Sequence, residues 1–144
     1  MTKKEVELLD IAKEVCGLNI NIALTGFLML ALRGIDKPRE AGDIDFIITD
    51  TNKPVMPSGF EVIYDSSTQL SFRNKNGIVC EFFKTQEPIE FVKDIPCCTF
   101  DNWLKAKRKY IKEVMDGDTS KHGRDLTCMG YTYEVTRFKS PFLN

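Results

Sequence analysis

A chain of 144 residues, 42% of them hydrophobic, suits one compact domain over residues 1–144 and leaves no room for a separate substrate domain. Its 20 basic and 21 acidic residues leave a formal net charge of −1, so no overall field favours nucleic acid or a membrane surface, and a polyanion would need a local basic patch. No apolar run approaches the roughly 20 residues that span a bilayer and the amino terminus lacks a signal-peptide core, which points to a cytoplasmic protein with no membrane partner.

Thr2 followed by Glu5 has the form of a capping box, and Leu8, Ile11, Ala12 and Val15 then recur at helical spacing, which predicts an amphipathic helix over 3–16. Residues 19–25 read as a strand that ends in the turn Thr25-Gly26. FLMLALRG, apolar on every face, predicts a buried helix over 26–33. A polar loop, GIDKPREAG, leads into AGDIDFIITD, whose residues 43–49 read as a second strand. The Pro- and Gly-punctuated TNKPVMPSG precedes a third strand at GFEVIYD. TQLSFRNKNGIVCEFFKT has the pattern of a hairpin around Asn76-Gly77, with a strand over 78–84. From Thr99 the period changes: Phe100, Trp103, Leu104, Ile111 and Val114 define a helix over 100–115, capped by Thr99 or Asp101. MDGDTSKHGRDLTCMG then holds a turn and a last helix, and YTYEVTRFKSPFLN alternates like a strand. The succession predicts an α+β fold in which 19–25, 43–49 and 78–84 are neighbouring strands of a mixed β-sheet with helices packed around it.

The five cysteines, Cys97 and Cys98 adjacent among them, have neither zinc-type pairing nor a nucleophile's companion histidine. They are assigned to packing as reduced thiols, Cys80 and Cys128 especially.

Asp43 and Asp45 interrupt the start of an apolar strand with one isoleucine between them. Alternate strand residues share a face, so the two carboxylates project together while Ile44 faces the packed side. At about 6.6 Å they repel by roughly 2.5 kcal/mol at an effective dielectric of about 20, and a divalent cation between them would relieve this. Mg2+ is the natural candidate, with Mn2+ as the other choice. The competing reading is a solvated or turn-capping pair at a strand mouth. Glu81 is the one charge within IVCEFF and needs a partner there: an edge position, a buried ion pair with a lysine or arginine, or the aspartates' cation. If its side chain faced away from the aspartates, Glu61 or Asp65 would be the alternatives. Backbone amides after Thr25-Gly26, at a helix amino terminus, can receive phosphate oxygens. Lys107 falls on the apolar face of its helix, where it either snorkels at the core margin or reaches toward phosphates and acids. Lys105, Arg108 and Lys109 read as a solvated face. His122, the only histidine, reads as a surface-loop residue, and Arg124-Asp125 as a local ion pair that docks the last helix.

Leu24-Thr25-Gly26, then Asp43-Ile44-Asp45-Phe46, then the lone Glu81, resemble the nucleotidyltransferase superfamily that includes polymerase beta. Arg39 in REAGDIDF, WLKAKRKYI and KHGRDL are similar to segments of the small bacterial toxin and abortive-infection enzymes of that superfamily, and the resemblance spans residues 20–127. It implies a carboxylate triad of Asp43, Asp45 and Glu81 that is both catalytic and metal-binding, and nucleotide held by Thr25, Gly26 and Lys107. The implied reaction moves a nucleoside monophosphate from a nucleoside triphosphate to a hydroxyl acceptor, which could be RNA, a protein or a small molecule. A homo-oligomer stays open. Two departures stand out: Phe27 occupies a position where such enzymes place a second small residue, and fifteen residues separate it from Asp43. They keep open a catalytically silent protein of the same fold that binds nucleotide, RNA or a protein partner.

Overall fold

The computed structural model describes residues 1–49, 53–113 and 120–135. Helix α1 (Lys3–Leu18) begins in the capping box, with both the Thr2 side chain and the Glu5 side chain bonded to the opposite backbone N–H. Strand β1 (Ile22–Thr25) runs directly into α2 (Gly26–Arg33), which stops at Gly34 in the left-handed region. The following strands are β2 (Ile44–Ile48), β3 (Phe60–Asp65), β4 (Gln69–Asn74), β5 (Val79–Lys84), β6 (Ile89–Val92) and β7 (Ile95–Cys98). Helices α3 (Phe100–Glu113) and α4 (Ser120–Cys128) complete the described chain. No helix among the described residues is long and apolar enough to cross a membrane.

The strands form one mixed sheet in the order β3-β4-β5-β2-β1-β7-β6. The three strands expected to be neighbours lie together at its centre, with β2 antiparallel to β1 and parallel to β5. On one side, the register aligns Leu24, Phe46, Phe82 and Leu70 across four strands, all buried. Phe82 stacks on Phe46 at 4.9 Å between ring centroids and meets Phe72 edge-on at 5.8 Å. Helices α1 and α2 pack on the central strands, and their Leu8, Leu9, Val15, Leu28 and Met29 join that core. On the other side, the same register aligns Thr25, Asp45 and Glu81, with Ile47 and Phe83 in the next row. That side carries the two acids.

The structure departs from the sequence reading in several places. Nothing in the sequence announces the β6–β7 hairpin, because its turn is Lys93-Asp94. Both residues sit at positive φ, 48° and 66°, without the glycine or asparagine that marks such turns. Strand β2 starts at Ile44, which leaves Asp43 in the bend before it. Tyr131 to Val135 carry no strand, and the rest of the alternating tail lies outside the described residues, as does Val114. Cys80, Cys97 and Cys98 are buried, whereas Cys128 is exposed: it ends α4 on the side away from the core.

Candidate functional site

Asp45 is the centre of the arrangement. The register sets it beside Thr25 on one flank and Glu81 on the other, so two acids are cross-strand neighbours in the interior of a sheet. β5 is not an edge strand, and among the described residues Glu81 has no ion pair. Its partner is Asp45. Glu61 and Asp65 lie on the edge strand β3, where Glu61 faces Arg73 and Asp65 lies 3.6 Å from Lys84.

Gly26 explains how a carboxylate fits there. A Cβ on it would come within 2.5 Å of Asp45 Oδ2, and its φ of +69° already favours glycine, so the turn accepts no side chain. Asp45 Oδ1 is buried and finds no hydrogen-bond partner among the described residues. Burial, then the charge and hydrogen bond of Glu81, then the charge of Asp43 push the Asp45 carboxyl up to about 7, with Lys107 pulling the other way. Asp43 is exposed at the mouth of the strand. The structure therefore joins Asp45 and Glu81 directly and leaves Asp43 just outside. Among the described residues no three His, Cys, Asp or Glu side chains close into a ready-made metal cage.

In front of Asp45 lies a cavity of about 760 Å³, floored by Thr25, Gly26, Asp45, Ile47 and Phe83 and walled by α3 and α4. Thr25 is the N-cap of α2 and makes no side-chain bond to it, so the first-turn amides are not occupied by their own cap. Lys107 lines the opposite wall. Burial lowers its pKa, against the pull of Asp45 and Asp125, and its Nζ lies 3.0 Å from His122 Nδ1. His122 is thus not on a surface loop: it sits half-buried on α4, inside the cavity, with Tyr110 edge-on at 5.1 Å. Burial and the Lys107 charge lower its pKa. Of the supposed solvated face, Lys105 and Lys109 are exposed at the cavity's rim, and Arg108 instead donates to the Thr132 carbonyl at 2.8 Å.

The last helix is docked by a bond other than the one expected. Asp125 is buried and pairs with Arg39, while its neighbour Arg124 is exposed. The Arg39 guanidinium also lies 4.6 Å over the Phe27 ring, which packs near Trp103 at 6.4 Å. Phe27 is not among the cavity's lining residues. The same loop is held from the other side. Glu5 Oε2 receives Lys37 at 2.6 Å and the Ala41 N–H at 3.1 Å, two residues before Asp43. The sequence marked Glu5 only as a cap. Neither His122 nor the Arg39–Asp125 pair carried a local signal, since both depend on contacts far apart in the chain.

The donor set suits a hard divalent cation. Mg2+ characteristically takes one or two protein carboxylates together with phosphate oxygens, and an orphaned buried oxygen beside a second carboxyl meets that demand.

No protein-family model matches the sequence, and neither does any curated protein sequence. Solved structures do resemble the fold. JHP933 from Helicobacter pylori superposes with a TM-score of 0.60 at 13% identity over 90% of this chain. A candidate nucleotidyltransferase from H. pylori gives 0.53 at 13% identity over 74% of it. This chain spans 66% and 59% of those two proteins' lengths. An antigenic nucleotidyltransferase-like protein from Paracoccidioides brasiliensis gives 0.51 at 17% identity, over 87% of this chain and 74% of its own. At such identities the likeness is one of architecture, and the chain has the α+β fold of nucleotidyltransferase-like proteins.

Proposed function

We propose that this chain is a metal-dependent nucleotidyltransferase that moves a nucleoside monophosphate from a nucleoside triphosphate to a hydroxyl-bearing acceptor. The observation that carries the reading is Asp45: a half-buried carboxyl with one buried, unpartnered oxygen, paired with Glu81 across the strands and, alone of the three acids, lining the cavity that Lys107 also lines. A carboxyl kept at this cost is unexplained by folding.

Asp45 and Glu81, with Asp43 at the mouth, would hold Mg2+ or Mn2+. The ion would supply charge neutralisation for the phosphates and for the leaving pyrophosphate. The amides after Gly26 receive β- and γ-phosphate oxygens at the amino terminus of α2, and Lys107 meets the same group from the other wall. The acceptor oxygen forms its bond to the α-phosphorus as the bond to the β-phosphate oxygen breaks. Glu81 takes the acceptor's proton. Catalysis on this scheme comes from positioning and electrostatics.

The test is transfer of α-labelled nucleoside triphosphates to RNA, protein and small-molecule acceptors from an extract, with Mg2+ or Mn2+, on the native chain and on Asp45→Asn. Labelled product from the native chain, reduced at least a hundredfold in the variant, is expected. Nucleotide binding by calorimetry without any transfer would leave a silent binder of this fold and overturn the enzyme.

A further inference from the structure

We infer that His122 is a positioning residue: it accepts the Lys107 hydrogen bond at Nδ1 and thereby aims the ammonium at the phosphate side of the cavity. The inference rests on the nucleotidyltransferase reading for what Lys107 is aimed at, and on geometry alone for how it is aimed. Lys107 comes from the face of α3 that also carries the buried Trp103, Leu104 and Ile111, so its stem leaves the core margin with four rotatable bonds and no fixed direction of its own. Two contacts restrict it. Its Nζ lies 5.9 Å over the Trp103 ring and 3.0 Å from His122 Nδ1.

A lysine ammonium only donates, so the facing ring nitrogen must be the unprotonated one, with the imidazole proton on Nε2. Tyr110 fixes the ring's tilt, edge-on at 5.1 Å. The other charges that face the ring are Asp125 and Lys121 on α4 and Arg39 from the loop before β2. Asp125 is itself tied to Arg39, so the height of His122 above the sheet is set by the loop that leads to Asp43. The two walls of the cavity are thereby brought into register by one chain of contacts: Arg39, Asp125, α4, His122, Lys107.

His122 is the only histidine, which makes its imidazole a clean reporter. Nitrogen-15 NMR of the ring should show the Nε2–H tautomer and a pKa below 6.5, and Lys107→Met should raise that pKa by removing the neighbouring cation. The second measurement is calorimetric binding of inorganic tripolyphosphate with Mg2+. His122→Leu should weaken it about tenfold with little change in melting temperature. His122→Asn, which keeps an acceptor near the Nδ1 position, should restore it to within about threefold. The Nδ1–H tautomer, a ring pKa indifferent to Lys107→Met, or equal losses in Leu and Asn would overturn the inference. Should the native chain bind no tripolyphosphate while the ring behaves as described, the nucleotide reading falls and the hold of His122 on Lys107 stands.

Discussion

Glu5 and Asp45 are both acids shielded by the fold, and they are opposites. Glu5 is 1% exposed and every demand of its carboxylate is met: Lys37, the Ala41 N–H and the Thr2 N–H all donate to it. Those bonds outweigh burial and hold its pKa down at about 2. Asp45 has an orphaned oxygen and an acid for a neighbour, and its pKa goes up. The contrast separates an acid that builds the fold from one that the fold must tolerate. The first should be expensive to remove, and the second should be a liability to stability that only a ligand relieves.

The largest effect should follow from removing Glu5. Glu5→Ala leaves Lys37, whose side chain is 11% exposed, without its partner and frees the loop before Asp43. A loss of about 3–5 kcal/mol in denaturant unfolding is expected. The pH dependence has a definite sign. The folded pKa lies below the ordinary 4.5, so the contribution is present above about 4.5 and disappears as pH falls toward about 2. A native chain whose stability stayed level through that window, or a mild Glu5→Ala, would break the comparison on its structural side.

Gly26→Ala should cost less, roughly 2 kcal/mol from the left-handed backbone alone, but it should reach the site as well. The added methyl would need the space of Asp45 Oδ2, which must rotate away. Calorimetric Mg2+ and tripolyphosphate binding should therefore fall together with the melting temperature. Reduced stability with unchanged binding would show that Asp45 is not where ligand is held.

Asp45→Asn sharpens the other side of the comparison, because here a gain is expected. Replacing a protonation-demanding acid beside Glu81 should stabilise the ligand-free chain by about 1–2 kcal/mol at neutral pH. The folded pKa is raised from 3.8, so the native contribution is fully present below about 3.8 and is lost as pH rises through about 7. The native chain should weaken across that range, and the asparagine variant should not. Destabilisation by Asp45→Asn at pH 7 would place Asp45 with Glu5 as a structural acid.

These residues also show where a sequence can be read and where it cannot. Spacing placed Asp45 and Glu81 each in a strand, because period-two alternation and a lone charge among apolar residues are local facts, whereas their being neighbours rested on the succession of elements and on the family resemblance. The same rule carried Asp43 into the strand, and it failed by one residue where the loop held by Glu5 ends. Glu5 itself was legible as a cap and not as an anchor, since Lys37 and Ala41 lie a helix and a strand away. His122 was missed for the same reason: the bond that docks its helix joins Arg39 to Asp125, 86 residues apart. The β6–β7 hairpin was lost on turn chemistry, since neither Lys93 nor Asp94 announces a positive φ.

Phe27 gives the smallest expected effect and decides which side of the comparison the turn's odd residue belongs to. Its ring supports the Arg39 guanidinium at 4.6 Å and packs near Trp103, away from the cavity lining. That makes it a structural residue, like Glu5, at a position where a small one was expected. Phe27→Leu keeps an apolar side chain in place and removes only the aromatic face. The guanidinium is partly exposed, so about 0.5–1 kcal/mol of stability should go with it. Tripolyphosphate affinity with Mg2+ should stay within about twofold, because the amides after Gly26 are untouched. A clear rise in affinity would mean that the ring had been crowding the phosphate site after all, and Phe27 would then join Asp45 among the residues that set function against fit.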